Sequence, residues 1–167
     1  FWTLPFPSWE QLISVVSAAL VLSYAIAPVT AAGLRRNAPD MPRPFRVRGF
    51  AVLGPLSFMI SALIVFWSGW GTLSWLLGLQ IVMFVVYVSC KSKVPVQHAS
   101  LAQQIKSSLW LIAFYALIML FSWLGSFGGS GIIGHPWDTI VVALMSLGIY
   151  YWGAYTCLPR ANFNGDE

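Results

Sequence analysis

Five long apolar segments dominate the sequence, and short connections between them hold nearly all of the charged residues. The segments cover residues 11–33, 51–67, 72–89, 108–124 and 139–157, about 17 to 23 residues each. None shows the alternation of apolar and polar residues that is typical of a half-buried strand. A helix rises about 1.5 Å per residue and a hydrocarbon layer is about 30 Å thick, so each segment is long enough to cross one. The pattern predicts an all-α, polytopic membrane bundle of five transmembrane helices.

The composition supports this prediction. Of the 167 residues, 58% are hydrophobic and only 8% are charged, against about 25% charged in an ordinary soluble domain. The 42 residues between Arg48 and Lys91 carry no charge at all. A water-soluble globule is therefore excluded. Nucleic acid is not expected as a partner either, because the net charge of +4 is not gathered on a dense basic face with polar or aromatic readers.

The charged residues are segregated in a way that predicts an orientation. If all five segments cross, one side of the bilayer receives every cation: Arg35, Arg36, Arg43, Arg46, Arg48, Lys91, Lys93, Lys106 and Arg160. The other side receives only Glu10 and Asp138. The positive-inside rule then places the basic connections in the cytoplasm. We expect a multi-pass protein of the cell membrane with its N-terminal end outside and its C-terminus inside.

The five segments differ in the side chains they offer for packing. The first is rich in serine and alanine and contains Pro28, which predicts a kinked helix packed closely inside a bundle. The fourth and fifth are rich in Leu, Ile, Phe and Tyr, which predicts peripheral helices facing lipid. Most tryptophans lie near segment ends, at the headgroup level that an indole prefers; Trp110 and Trp152 are assigned to the inner ends.

No Asp, Glu, Lys, Arg or His lies inside a segment, which argues against an intramembrane enzyme or a proton relay in this part of the chain. His135 and Asp138 are too few to form a metal site, which normally needs three or four ligands. Neither metal nor cofactor is expected. The glycine-rich GSFGGSG lacks a following GKS or GKT and is interpreted as a flexible outer connection. Asp138, two residues after Pro136, is predicted to cap the N-terminus of the fifth helix.

The strongest local motif is LRRNAPDMPRPFRVRG at residues 34–49. Its simplest interpretation is a cytoplasmic topogenic loop attracted to anionic lipid. An arginine pair followed by RPFRV between two apolar helices also resembles the loop after helix 10 in permeases of the amino acid/polyamine/organocation family. The SGWGT turn is similar to the helix 11–12 hairpin of that family. SLWLIAFYALIMLFSWLGSFGG with the later PWD and IYYWG resembles two extra helices of longer bacterial members, including aspartate/proton symporter-like permeases.

This resemblance implies a fold and a function. Family members have ten core helices in two inverted five-helix repeats and bind substrate at unwound parts of core helices 1 and 6. Residues 1–167 would then be a C-terminal fragment of one permease domain, comprising core helix 10 and peripheral helices 11 to 14. The implied function is secondary active amino acid transport with proton symport. It would require the missing N-terminal helices, a small amino acid as substrate and the lipid bilayer.

The candidate functional residues are few. In the first segment, Ser17, Ser23 and Tyr24 are the polar groups available to line an outer pathway, although packing against neighbours is the competing interpretation and such hydroxyls often bond to their own helix. The alternative function is a membrane-anchor or scaffold subunit that transports nothing. Because the chain lacks an initiator Met and a signal peptide, we expect it to be a piece of a longer protein.

Overall fold

The computed structural model describes residues 9–37, 47–90 and 101–156, which form five α-helices. They are α1 (Trp9–Asn37), α2 (Phe50–Trp67), α3 (Gly69–Cys90), α4 (Leu101–Leu124) and α5 (Trp137–Thr156). The predicted all-α class is confirmed, and each helix covers its predicted segment to within a residue at the α5 end. Among the described residues, four stretches are long and apolar enough to cross a membrane: Trp9–Asn37, Phe50–Trp67, Ser107–Leu124 and Trp137–Thr156.

Helix α1 buries one narrow stripe of its surface. The stripe consists of Ala18, Leu22, Ala25, Val29 and Gly33. Their spacing of three or four residues places them on one face of a 3.6-residue helix. Small side chains on this stripe allow α1 to pack against α2, α3 and α5. The helix is continuous through Pro28.

The core lies where α2, α4 and α5 meet. The Phe58 ring of α2 lies 5.1 Å from the Phe114 ring of α4 and 6.0 Å from the Tyr150 ring of α5, measured between centroids. Helix α2 contacts the other four helices, and α5 contacts α1, α2 and α4. Within the described residues α5 therefore packs against three neighbours, while Ile140, Leu144 and Tyr155 stay exposed.

Gly153 shows how α5 gains this position. A Cβ at Gly153 would lie 2.7 Å from Cγ1 of Val29 and 2.8 Å from Cδ2 of Trp110, so only glycine allows α1 and α4 to approach α5 this closely. Trp110 is 7% exposed. Trp110 therefore faces the core of the bundle at the level of Gly153.

Helix α3 is the least covered part of the bundle. Its first half contributes Leu73 and Leu76 to the core. Its second half exposes a nearly continuous set of apolar side chains: Leu79, Ile81, Val82, Met83, Val85 and Val86. Ser68 alone separates α3 from α2, and Gly69 takes up the reversal with a φ of 83°, a conformation that favours glycine.

Candidate functional site

The three polar residues predicted to line a pathway lie on the part of α1 that the other four helices leave uncovered. Ser17, Ser23 and Tyr24 are all exposed, Tyr24 by 69%. The Ser23 hydroxyl donates a hydrogen bond of 2.7 Å to the carbonyl oxygen of Leu20, so this side chain is bonded to its own helix. Ser17 and Tyr24 are seven residues apart and share one face, because seven residues make almost two complete turns.

A groove of about 380 Å³ runs beside Tyr24, between α1 and the first half of α2. Tyr24, Ala27, Pro28 and Ala31 form one wall, and Phe50, Leu53, Gly54 and Ser57 form the other. Pro28 has no amide hydrogen, so the carbonyl oxygen of Tyr24, four residues earlier, lacks its usual helical donor. The groove therefore has Tyr24 and Ser57 as its hydroxyl-bearing residues, and its other lining residues are apolar.

The arginines gather where α1 ends and α2 begins, a region that we call the arginine end and define by Arg35, Arg36 and Arg48. The guanidinium carbon of Arg35 lies 3.9 Å from the centroid of the Phe50 ring. That of Arg36 lies 4.1 Å from the centroid of the Tyr155 ring. Arg48 is exposed in the turn before α2. The other two predicted residues of this loop, Arg43 and Arg46, lie outside the described residues.

The acidic residues lie at the opposite end of the bundle, which we call the loop end and define by the α2–α3 turn and residues 125–136. Of the residues that the structure describes, only Glu10 and Asp138 are acidic. Glu10 occupies the first turn of α1 and Asp138 the first turn of α5. Within the described ranges, Arg35 and Arg36 therefore meet aromatic rings and no carboxylate.

Asp138 is the most completely bonded side chain at the loop end. It is only 1% exposed. Its Oδ2 accepts hydrogen bonds from the Ser126 hydroxyl at 2.6 Å and from the Ser126 amide at 3.3 Å. Its Oδ1 accepts from the Thr139 amide at 2.6 Å and from the Thr139 hydroxyl at 3.2 Å. A buried carboxylate is tolerated when such donors replace its water shell.

This geometry corrects the predicted role of Asp138. The residue lies inside α5, which begins at Trp137, and its carboxylate reaches across to Ser126 of the preceding loop. It therefore ties the end of α4 to the start of α5 and does not act as an N-cap. His135 Nδ1 lies 3.7 Å from Asp138 Oδ1. No group of three or more His, Cys, Asp or Glu gathers among the described residues.

The glycine-rich loop, which was predicted to be a flexible outer connection, makes hydrogen bonds and packing contacts with the helix ends. The Phe127 carbonyl accepts a hydrogen bond from the Trp70 amide at 3.0 Å, and the Phe127 ring packs edge-on against Phe66 of α2. Gly128 has a φ of 78°. A Cβ at Gly129 would collide with backbone carbonyl oxygens at the end of α4. The glycines are thus needed for a tight path over the helix ends.

Sequence reasoning missed the link between Ser126 and Asp138. The two residues are 12 positions apart in a segment without helical or strand periodicity, so no spacing rule relates them. The available signal was an acidic residue at the edge of an apolar segment, where a carboxylate requires donors. Ser126 and Ser130 were the nearby polar candidates, and Ser130 instead donates to the Trp123 carbonyl.

Comparison with known proteins gives two relatives, both from Bacillus subtilis (strain 168). The chain is 56% identical over 168 residues to an aspartate-proton symporter; this covers 100% of the chain and 32% of that protein. It is 30% identical over 149 residues to the glutamate/serine transporter AimA, covering 88% of the chain and 27% of that protein. The chain thus spans about a third of the length of these relatives. No family model matches the chain, and no solved structure matches it.

Proposed function

Because the chain belongs to the amino acid/polyamine/organocation family of amino acid permeases, we propose that it is part of a permease that imports amino acids with protons. The observation that carries this proposal is the 56% identity to an aspartate-proton symporter along the whole chain. The second relative is a transporter of glutamate and serine. Acidic amino acids, with aspartate first, are therefore the proposed substrates of the complete protein.

In this proposal residues 1–167 cross the cell membrane five times, as core helix 10 followed by peripheral helices 11 to 14. Helix α3 is the fifth crossing, in addition to the four stretches that qualify by length and composition. Its exposed apolar second half, which includes Val82 and Val85, is suited to lipid. The placement of all described arginines at one end supports an orientation with the arginine end in the cytoplasm.

The uncovered face of α1 is the proposed contact with the missing core helices and with the outer part of the transport pathway. Its large apolar residues are exposed, including Ile13, Val16 and Leu20, and Ser17 and Tyr24 lie among them. Burial of this face against other helices would complete the packing of α1. Tyr24 is the strongest pathway candidate, since its exposed side chain lines the groove between α1 and α2. Ser23 is the weakest, because its hydroxyl is already bonded to Leu20.

Uptake by the full-length protein tests the proposed activity. Right-side-out vesicles that contain it are given an acidic exterior and labelled aspartate, glutamate or serine. Accumulation of aspartate that collapses when a protonophore is added is the expected result. Vesicles with an empty expression vector are the control. Equal uptake in both preparations, at every imposed pH gradient, would refute the proposal.

The pathway role of Tyr24 is tested separately by Tyr24→Phe, with Ser23→Ala as the matched loss of one hydroxyl on the same helix. If the phenol contacts the passing substrate, we expect the KM for aspartate to rise about fivefold in Tyr24→Phe, the size of one lost hydrogen bond. Ser23→Ala should leave KM unchanged. Equal kinetics in both variants would leave Tyr24 a packing residue.

The proposed orientation is tested by single-cysteine variants at Arg43 and Lys93 in the full-length protein. Two proposed crossings, α2 and α3, lie between these positions in the sequence, so both positions should be on the same side of the membrane. Impermeant thiol reagents should therefore label both from the cytoplasmic face. Labelling from opposite faces would contradict the five-crossing arrangement.

A further inference from the structure

A second groove, at the arginine end, is not used by the proposed transport function. It measures about 480 Å³ and lies between α1, α2 and α5, within the range of about 300–1,000 Å³ typical of small-ligand sites. Two guanidinium groups, four aromatic rings and three methyl groups form its walls: Arg35, Arg36, Phe50, Tyr150, Tyr151, Tyr155, Ala32, Ala51 and Ala154. The groove is therefore cationic at two points and mostly apolar elsewhere, with tyrosine hydroxyls as its other polar groups.

The guanidinium group of each arginine in this groove lies over an aromatic ring. The distance from the guanidinium carbon to the ring centroid is 3.9 Å for Arg35 on Phe50 and 4.1 Å for Arg36 on Tyr155, which is van der Waals contact. A stacked guanidinium is fixed in orientation, while its N–H donors point outward in its own plane. Stacking thus uses the π-faces and leaves the donor edges for another partner.

The partner that suits two adjacent guanidinium edges is an anion with several oxygens. Arginine pairs with phosphate through parallel N–H···O bonds, which are stronger than hydrogen bonds between neutral groups. Within the described ranges, the acidic residues Glu10 and Asp138 both belong to the loop end, so neither supplies these oxygens. The pairing of Arg35 and Arg36 with rings is consequently compatible with an external phosphate.

We propose that this groove binds the headgroup phosphate of an anionic phospholipid in the leaflet at the arginine end. The inference rests on the membrane-spanning arrangement proposed above. Arg35 and Arg36 lie in the last turn of α1, and Tyr155 lies in the last turn of α5, which places the groove at the level where headgroups begin. Its alanines and rings give the glycerol and the first acyl carbons an apolar wall.

The same apolar wall distinguishes a lipid from free phosphate. A small inorganic anion would use only the two arginines and would leave the surface of Ala51, Ala154 and Tyr151 in contact with water. A phospholipid covers that surface and also presents its phosphate to the arginines. Since the arginines of α1 stack on rings of α2 and α5, the bound phosphate would join three helices at this end of the bundle.

Lipid binding to the full-length permease tests the proposal. The delipidated protein in detergent is titrated with dioleoylphosphatidylglycerol or dioleoylphosphatidylcholine, and bound lipids are counted by native mass spectrometry. Phosphatidylglycerol should bind more tightly than phosphatidylcholine. Arg35→Gln/Arg36→Gln should weaken phosphatidylglycerol binding about tenfold, as expected when charge-assisted hydrogen bonds are lost.

Arg48→Gln is the matched control, because Arg48 carries the same charge at the same end but does not line the groove. It should weaken binding about twofold or less, the scale of an exposed charge. A loss in Arg35→Gln/Arg36→Gln no greater than the square of the loss in Arg48→Gln would overturn the proposal, since two charges without a specific site would have that effect. Displacement of the lipid by excess inorganic phosphate would overturn the choice of lipid over free anion.

Tyr155 gives a test that preserves every charge, which matters if the arginine variants fail to fold. Tyr155→Leu removes the ring under Arg36 and should weaken phosphatidylglycerol binding about threefold, whereas Tyr155→Phe keeps the ring and should bind normally. Identical binding by both variants would contradict the role of stacking. The lipid count needs no transport, so aspartate uptake without lipid binding, or the reverse, separates this inference from the proposed function.

Discussion

The two ends of the bundle are held together by different physical means. At the loop end, the Asp138 carboxylate and the backbone of residues 125–133 form a network of directional hydrogen bonds. At the arginine end, the helices pack closely at glycines. Trp110 and Val29 contact α5 at Gly153, and the Tyr150 hydroxyl contacts α2 at Gly54. Loss of one polar atom should therefore matter most at the loop end, and gain of one methyl group at the arginine end.

Replacement of the Asp138 carboxylate should produce the largest effect. Asp138→Ala leaves the Ser126 and Thr139 donors without their acceptor in a buried position, so we expect the free energy of unfolding to fall by about 3 kcal/mol. Asp138→Asn keeps one acceptor oxygen and should lose about half as much. Thermal unfolding of the full-length protein in detergent measures both changes.

Glu10→Ala provides the control for Asp138, because it removes an exposed carboxylate from the same end of the bundle. It should change stability by about 0.5 kcal/mol or less, the scale of an exposed charge near a helix N-terminus. An Asp138→Ala protein as stable as the Glu10→Ala protein would remove the contrast between the two ends.

Gly153→Ala should give the second largest effect, at the arginine end. The added Cβ would lie 2.7 Å from Val29 and 2.8 Å from Trp110, so α1 or α4 must move away from α5. We expect a loss of about 2 kcal/mol, typical of an overpacked core. Gly148→Ala, on the same helix but with open space around the new methyl group, should be neutral or stabilising. Unfolding in detergent compares them, and equal stabilities would contradict the packing argument.

Gly54 and Tyr150 test whether close packing at the arginine end depends on a single contact, that of Gly54 with the Tyr150 hydroxyl. Gly54→Ala alone places a methyl group against the Tyr150 hydroxyl and should cost about 1 kcal/mol. Tyr150→Phe removes that hydroxyl and should restore part of the loss when the two changes are combined. A double-mutant cycle on unfolding free energies measures the coupling. Strictly additive effects would show that the hydroxyl is not the obstacle.

The five helices were predictable because long apolar segments and the polar residues that end them can be recognised from residue order alone. Each apolar segment ends at charged or turn-forming residues, and those limits agree with the helix bounds to within a few residues at most ends. The gathering of Arg35, Arg36 and Arg48 at one end, away from Glu10 and Asp138, also follows from the connections alone. These features depend on the order of residue types along the chain, which a sequence states directly.

The packing partners were not predictable in the same way. Gly148 and Gly153 are equivalent as sequence, five residues apart on one helix, yet only Gly153 lies between α1 and α4. The abundance of Leu, Ile and Tyr in α5 indicated a peripheral helix, whereas small residues at a few positions decide its contacts. Likewise, the glycines of residues 125–131 were interpreted as flexibility, because nothing in their number reveals the carbonyl oxygens that they pass.

The smallest predicted effect concerns two buried serines inside helices, one with and one without a hydrogen-bond partner. Ser122 is fully buried in α4, and its Oγ has no hydrogen-bond partner among the described residues. Ser146 is equally buried in α5, but its Oγ donates to the Ala143 carbonyl at 2.8 Å. These two serines therefore differ in bonding while sharing the same burial.

Since an unpaired buried hydroxyl costs free energy, Ser122→Ala should raise the free energy of unfolding by about 0.5 kcal/mol. Ser146→Ala should lower it by a similar amount, about 0.5 kcal/mol, because it removes a bond that is made. Unfolding in detergent under identical conditions resolves the sign of each change. If Ser122→Ala is the more damaging of the two, the packing of the serine side chain in α4 outweighs the cost of its unpaired hydroxyl, and the argument from unpaired polar atoms is wrong at this site.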